Sequence, residues 1–132
     1  MTAHRLTLFL HQDNYAVARV DPGDGCPDWP AARSGTLCSQ TWTDRELSIV
    51  CPADRVPAHV NAERGWRLLE VEGPLPFELT GVLASIAGPL AEDEVNLFVV
   101  SSFETDYVLV PDRFLDRAIA ALLQAGHEVR TL

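Results

Sequence analysis

The sequence predicts an α+β protein of the ferredoxin-like, βαββαβ kind, on three observations. From Trp66 to Leu132 the apolar spacing reads in turn as strand, helix, strand, strand, helix and strand. Turn residues stand at the joints, with Gly73-Pro74-Leu75-Pro76 after the first strand and Gly126 before the last. The chain has 132 residues, 47% of them hydrophobic, enough to bury a core without metal or disulfide help. This order is the split βαβ plan, with helices on one face of an antiparallel sheet.

Before Trp66 the pattern is less regular. Leu6 to Leu10 and Tyr15 to Val20 read as two strands joined by a turn at His11-Gln12-Asp13-Asn14. Asp21-Pro22-Gly23-Asp24-Gly25 stops them, and Cys26 to Ala32 is a Pro-rich loop with room for one helical turn. Thr36–Trp42 and Leu47–Cys51 flank Thr43-Asp44-Arg45-Glu46. A hairpin closed there sets Trp42 against Leu47, Gln40 against Ile49 and Cys38 against Cys51, with Trp42, Leu47, Ile49 and both cysteines on one half-buried face. Pro52 to Gly65 has little periodicity and marks an internal boundary.

Beyond it, Leu69 and Val71 alternate with Glu70 and Glu72 in a strand from Trp66. Leu79, Val82, Leu83, Ile86 and Leu90 recur at helical spacing, with Thr80 as a candidate N-cap and Gly88-Pro89 tightening the end. Asn96–Phe103 and Tyr107–Val110 are strands. Asp112 is placed to cap a helix whose stripe is Phe114, Leu115, Ala118, Ile119, Leu122 and Leu123, and Glu128–Leu132 is the last strand.

A net charge of −9 without any basic run argues against a nucleic-acid partner. No apolar run spans a bilayer, and the N-terminus lacks a cleavable leader pattern, so no membrane association and a cytoplasmic location are expected. Cys26, Cys38 and Cys51 have no C-x-x-C spacing, and His4, His11, His59 and His127 are scattered, so no metal site and no cofactor is expected. Ser85, Ser101 and Ser102 lack the context of an activated nucleophile, which points away from an enzyme. Cys38 and Cys51 read either as buried reduced thiols or as a redox-active pair.

The polar corner Ser101-Ser102-Phe103-Glu104-Thr105-Asp106 breaks two apolar strands, and Asp106 there is either a turn residue or an acceptor for a cationic ligand. The helix sequence Leu79-Thr80-Gly81-Val82-Leu83-Ala84-Ser85-Ile86 and the hairpin Ser101 to Val110 resemble an ACT domain. With Glu46 to Pro52 and Glu63-Arg64-Gly65-Trp66 the resemblance extends to the bacterial tandem-ACT proteins related to the aspartate kinase regulatory region and the CASTOR arginine sensors. It implies two ACT units in tandem, a degenerate first one over residues 1–62 and an ACT domain over 63–132.

The resemblance also implies a non-catalytic sensor that binds a free amino acid where ACT units meet and so regulates a partner, or else a ligand-free assembly module. The ligand contacts it implies are Ser102, Phe103 and Asp106 on the hairpin, with Glu94 and Val95 on the turn after the first helix. The family usually has glycine where this chain has Glu94, whose Cβ and charge oppose an α-carboxylate there. A homodimer is the expected assembly, with Trp66, Leu68 and one face of Leu97–Phe103 supplying apolar surface.

Overall fold

The computed structural model describes residues 4–30 and 35–132. Its strands are β1 (Thr7–Val20), β2 (Ser39–Trp42), β3 (Leu47–Pro52), β4 (Asn61–Val71), β5 (Phe98–Ser101), β6 (Asp106–Pro111) and β7 (Glu128–Thr131), and its helices α1 (Val82–Glu92) and α2 (Leu115–Gln124). The chain forms two compact units. One comprises the residues up to Gln12 together with Arg67–Leu132, and the other Asp13–Trp66.

β1 is one 14-residue strand instead of two strands and a turn. The polar stretch that suggested the turn has its hydrogen-bonding groups satisfied in extended backbone. His11 is buried with Nε2 2.9 Å from Glu70 Oε1, and the Gln12 amide donates to the Leu132 carbonyl at 2.5 Å. β4 likewise begins earlier than Trp66, at Asn61.

In the unit holding the C-terminal half, the sheet order is β7-β1-β4-β6-β5. β5 and β6 are antiparallel, from Phe98 opposite Leu109 to Ser101 opposite Asp106, whereas β7 runs parallel to β1, with Thr7 opposite Glu128. The start of the chain is thus inserted between β7 and β4, making the expected antiparallel sheet a mixed one. One core joins Leu8, Leu10, Leu69, Val71, Val108 and Val110 of the strands to Ile86, Leu90, Ala118 and Leu122 of the helices. The fold is α+β and ferredoxin-like, as the spacing predicts. Leu68, expected to be part of an open apolar surface, is fully buried.

Both helices start differently from the sequence reading. Gly81, at φ 84°, is the N-cap of α1 and offers no side-chain cap, so Thr80 lies outside the helix and its carbonyl faces the His4 ring at 2.6 Å. Asp112 opens a 3₁₀ turn, Asp112–Phe114, and its carboxylate accepts from Arg67 at 3.3 Å instead of capping α2. At the far end, Gly126 at φ 97° ends α2 as the sequence predicts.

Pro89 lies inside α1, and the helix continues through it to Glu92. Proline has no N–H for the carbonyl four residues earlier, that of Ser85. His127 supplies the missing donor. Its Nε2 lies 2.8 Å from the Ser85 carbonyl, while Nδ1 accepts from the Leu6 N–H at 3.1 Å, so the ring is neutral with its hydrogen on Nε2. One buried imidazole thereby ties α1 to the chain entering β1.

In the other unit β3 lies between β2 and β1. The β2–β3 hairpin has the predicted register, with Trp42 opposite Leu47 and Gln40 opposite Ile49. Ala16, Ala18, Leu47, Ile49, Cys51 and Val56 form its core, against which Trp29 and Cys38 pack. Trp42 is 52% exposed, against expectation, because β2 is an edge strand with nothing beyond it on its open side among the described residues. Arg64 donates to the carbonyls of Val56 and Pro57 at 3.4 and 3.0 Å and fixes the turn before β4.

Replacing His127 by Phe strands the Ser85 carbonyl and the Leu6 N–H together, at a cost of about 3 kcal/mol in urea denaturation. Adding Pro89→Ala restores a donor to Ser85 and recovers part of that loss. Additive effects in the double-mutant cycle would contradict this coupling.

Candidate functional site

The β5–β6 hairpin turns through Ser102, Phe103, Glu104 and Thr105, closed by the Ser102 N–H donating to the Thr105 carbonyl at 2.9 Å. Two further bonds hold this tip against the segment after β4. The Leu75 N–H donates to the Glu104 carbonyl at 2.7 Å, and the Thr105 hydroxyl donates to the Val71 carbonyl at 2.5 Å. Gly73 makes the approach possible, since a Cβ there would stand 3.0 Å from the Glu104 carbonyl oxygen and 3.1 Å from the Thr105 Cβ.

Between this tip and the start of α1 lies a hollow of about 330 Å³. Its apolar lining includes Leu75, Phe77, Val82 and Phe103, and Phe77 and Phe103 meet edge to face at 4.7 Å between ring centres. These two rings are 72% and 78% exposed and form its rim. Asp106 and Glu104 supply the charge, and no cationic side chain among the described residues lines it.

Asp106 is half-buried where β6 begins. Its Oδ1 accepts from the Ser101 hydroxyl at 2.6 Å, and Oδ2 has no partner among the described residues. The carboxylate is therefore oriented by the ladder without being consumed by it. Gly81, Val82 and Leu83 also line the hollow. With no capping side chain, the amides of the first turn of α1 have no intrahelical acceptor, and they carry the positive end of the helix dipole. The lining thus combines a carboxylate with the start of a helix that has no side-chain cap.

Of the residues expected to contact a ligand, the structure brings Ser102, Phe103 and Asp106 together in this hollow. Glu94 and Val95 lie at the other end of α1. There the Val95 N–H donates to the Leu90 carbonyl at 2.8 Å and the Glu94 N–H to that of Ala91 at 3.0 Å, a Schellman turn with the Val95 side chain buried against the core. Glu94 occupies its left-handed position at φ 57°, which Gly126 fills at the end of α2. The glycine expected at this position by resemblance has a conformational reason.

The sequence reading missed the donors at the start of α1. Their signal was Gly81 directly ahead of the helical spacing, a residue able to enter a helix from positive φ without supplying a side-chain acceptor. A second recess, on the other side of the tip, includes Glu70, Glu104 and Tyr107. Burial, reinforced by the negative charge of Glu70, raises the Tyr107 phenol above its ordinary pKa and keeps it a neutral hydroxyl there.

The family model of the ACT domain matches residues 61–124, and a second model, of an N-terminal domain, matches residues 13–59. Residues 61–124 thus carry the ACT-domain fold. Protein Atu0741 from Agobacterium tumefaciens is 35% identical and has the same fold at a TM-score of 0.90, over 98% of this chain and 96% of that one. The human cytosolic arginine sensor for mTORC1 subunit 1 is 34% identical over 80 residues, 60% of this chain and 24% of the relative. The chain thus spans about a quarter of the length of the curated relatives it matches. The regulatory subunit of aspartate kinase from Thermus thermophilus, at 17% identity, shares the fold at a TM-score of 0.62 over 94% of this chain and 99% of that one.

Two substitutions test the geometry of the ACT domain. Glu94→Gly relieves a left-handed non-glycine residue and removes a negative charge from a helix C-terminus, and should stabilise the chain by about 1 kcal/mol in urea denaturation. Gly73→Ala should destabilise it by about 2 kcal/mol, because the added Cβ meets backbone that cannot rotate away. Equal stability of Gly73→Ala and the parent would contradict the close approach.

Proposed function

We propose that this protein is a non-catalytic ACT-type sensor, in which a free amino acid occupies the hollow between the β5–β6 tip and the start of α1. The observation that carries this reading is that Asp106 and the uncapped start of α1 line the same hollow. The free oxygen of Asp106 accepts from an ammonium or a cationic side chain, and the uncapped amides of α1 receive a carboxylate. Ser102 and Phe103 border the ligand, and Glu94 and Val95 join it only where a second ACT unit brings its own turn alongside. With Asp106 and Glu104 as the charged groups of its lining among the described residues, a basic side chain is the preferred guest. The arginine-sensing name of the matched human relative is consistent with that preference.

The same reading extends to assembly. The exposed rim rings Phe77 and Phe103 need cover, which a second copy of the chain provides, so that the ligand lies at the seam of a homodimer. Residues 1–62 act as a degenerate first ACT-like unit in tandem with 63–132, and the chain works in the cytoplasm without a cofactor. Occupancy shifts the packing of the units, and a regulatory partner reads the shift. The exposed aromatic rim also supports a second reading, a ligand-free assembly module.

Thermal melting in the presence of each proteinogenic amino acid separates the two. The sensor reading expects arginine or another cationic amino acid to raise the melting temperature, ligand at a hundred times its Kd adding about 2.7 kcal/mol. Asp106→Asn should abolish the shift while the unliganded protein melts near the parent. A flat panel, together with a dimer that Phe103→Ala dissociates, would assign the chain to assembly alone.

A further inference from the structure

The thiols of Cys38 and Cys51 lie in the compact unit Asp13–Trp66, separate from the hollow just described, and no step of the sensor uses them. We propose that they are a modification site, a cross-strand thiol pair that a hydroperoxide converts to a disulfide.

Register carries the inference. The β2–β3 ladder pairs Trp42 with Leu47 and ends at Ser39 with Val50, and the same register continued one position beyond β2 sets Cys38 against Cys51. The type of pair follows from the turn. The Thr43 N–H donates to the Glu46 carbonyl at 2.9 Å, making Thr43 and Glu46 a hydrogen-bonded pair. Alternation along an antiparallel ladder then makes the Trp42, Gln40 and Cys38 positions non-hydrogen-bonded. At such positions the Cα atoms stand about 4.5 Å apart with the side chains close, within the range that a disulfide spans.

The two thiols have unequal surroundings, as a reacting and a resolving cysteine require. Cys38 is half-buried, and its thiol donates to the Pro30 carbonyl at 3.1 Å. Cys51 is fully buried in the core of its unit. Burial pushes its thiol up to about 11, with the nearby Cys38 sulfur adding to the rise. Cys38 is therefore the thiol that meets the oxidant, and Cys51 stays protonated until it resolves the intermediate.

In the first step the Cys38 thiolate attacks a peroxide oxygen. The O–O bond breaks, the peroxide departs as an alcohol or as water, and Cys38 becomes a sulfenic acid. The Cys51 sulfur then attacks the sulfenic sulfur, forming the S–S bond and releasing water. Two electrons and the two thiol hydrogens pass to the peroxide, and a thiol reductant reverses the change by attack at the accessible Cys38 sulfur.

The full chain, treated with hydrogen peroxide and then alkylated, decides the matter by mass. Each of the three cysteines falls in its own tryptic peptide, since Arg33 and Arg45 cut between them. The expected product has lost about 2 Da, keeps a free Cys26, and carries one link between the peptides of Cys38 and Cys51. Cys26→Ser should give the same link, and dithiothreitol should remove it. Cys38→Ser, at a half-buried position, should retain the fold and leave Cys51 reduced under the same treatment. Three free thiols after treatment, a link through Cys26, or irreversible oxidation of Cys38 in place of the link would each overturn the proposal.

Discussion

The missing Cβ of Gly73 is the constraint on which the candidate site depends. A ferredoxin-like sheet alone fixes only where β5 and β6 lie, and a hairpin tip beyond its last ladder pair is free to swing. Here the tip is held by the Leu75 N–H and the Val71 carbonyl, both beside a residue with no side chain to keep the backbones apart. The same contact places the segment from Leu75 to Gly81 along the hollow, so its two walls are positioned by one packing event. Asp106 then needs only the Ser101 hydroxyl, its ladder neighbour, to be oriented. A carboxylate held by one neutral hydroxyl keeps most of its capacity to accept from a guest.

A second dependence runs through His127. Proline inside a helix ordinarily leaves a stranded carbonyl, and the entry of a chain into a sheet often leaves a stranded amide. This fold sets those two defects on either side of a buried ring that satisfies both. The inserted strand β1 is thereby fastened to α1 as well as to its ladder partners. This also accounts for a histidine, scattered by sequence, lying where no metal or catalytic chemistry is served: its two nitrogens are fully engaged in the fold.

How much of this was legible in the sequence follows from which interactions are local. The order of elements from Trp66 onward was readable because period and turn residues are local properties, and the β2–β3 register was readable because its turn closes over adjacent residues. β1 was misread because His11 to Asn14 has turn-like composition, while the groups that satisfy His11 and Gln12 are Glu70 and the Leu132 carbonyl, remote in sequence. Asp112 was misread for a similar reason, as its carboxylate goes to Arg67 and not to its own helix. At the site, the hairpin residues stood out because a polar run interrupting two apolar strands is conspicuous. The α1 amides did not, because an uncapped helix end is marked by a side chain that is lacking.

Glu94 sets the end of α1 apart from that of α2. The two helices end in the same turn, and the left-handed residue is glycine in one and glutamate in the other. The glutamate costs backbone strain and adds to Glu92 and Asp93 a third negative charge at the wrong end of the helix dipole. Nothing within the unit compensates for either, since all three side chains are exposed among the described residues. Glu94 thus burdens the fold and lies outside the hollow. The five positions implied by resemblance thus divide by geometry into three that line one hollow and two that lie at the far end of α1.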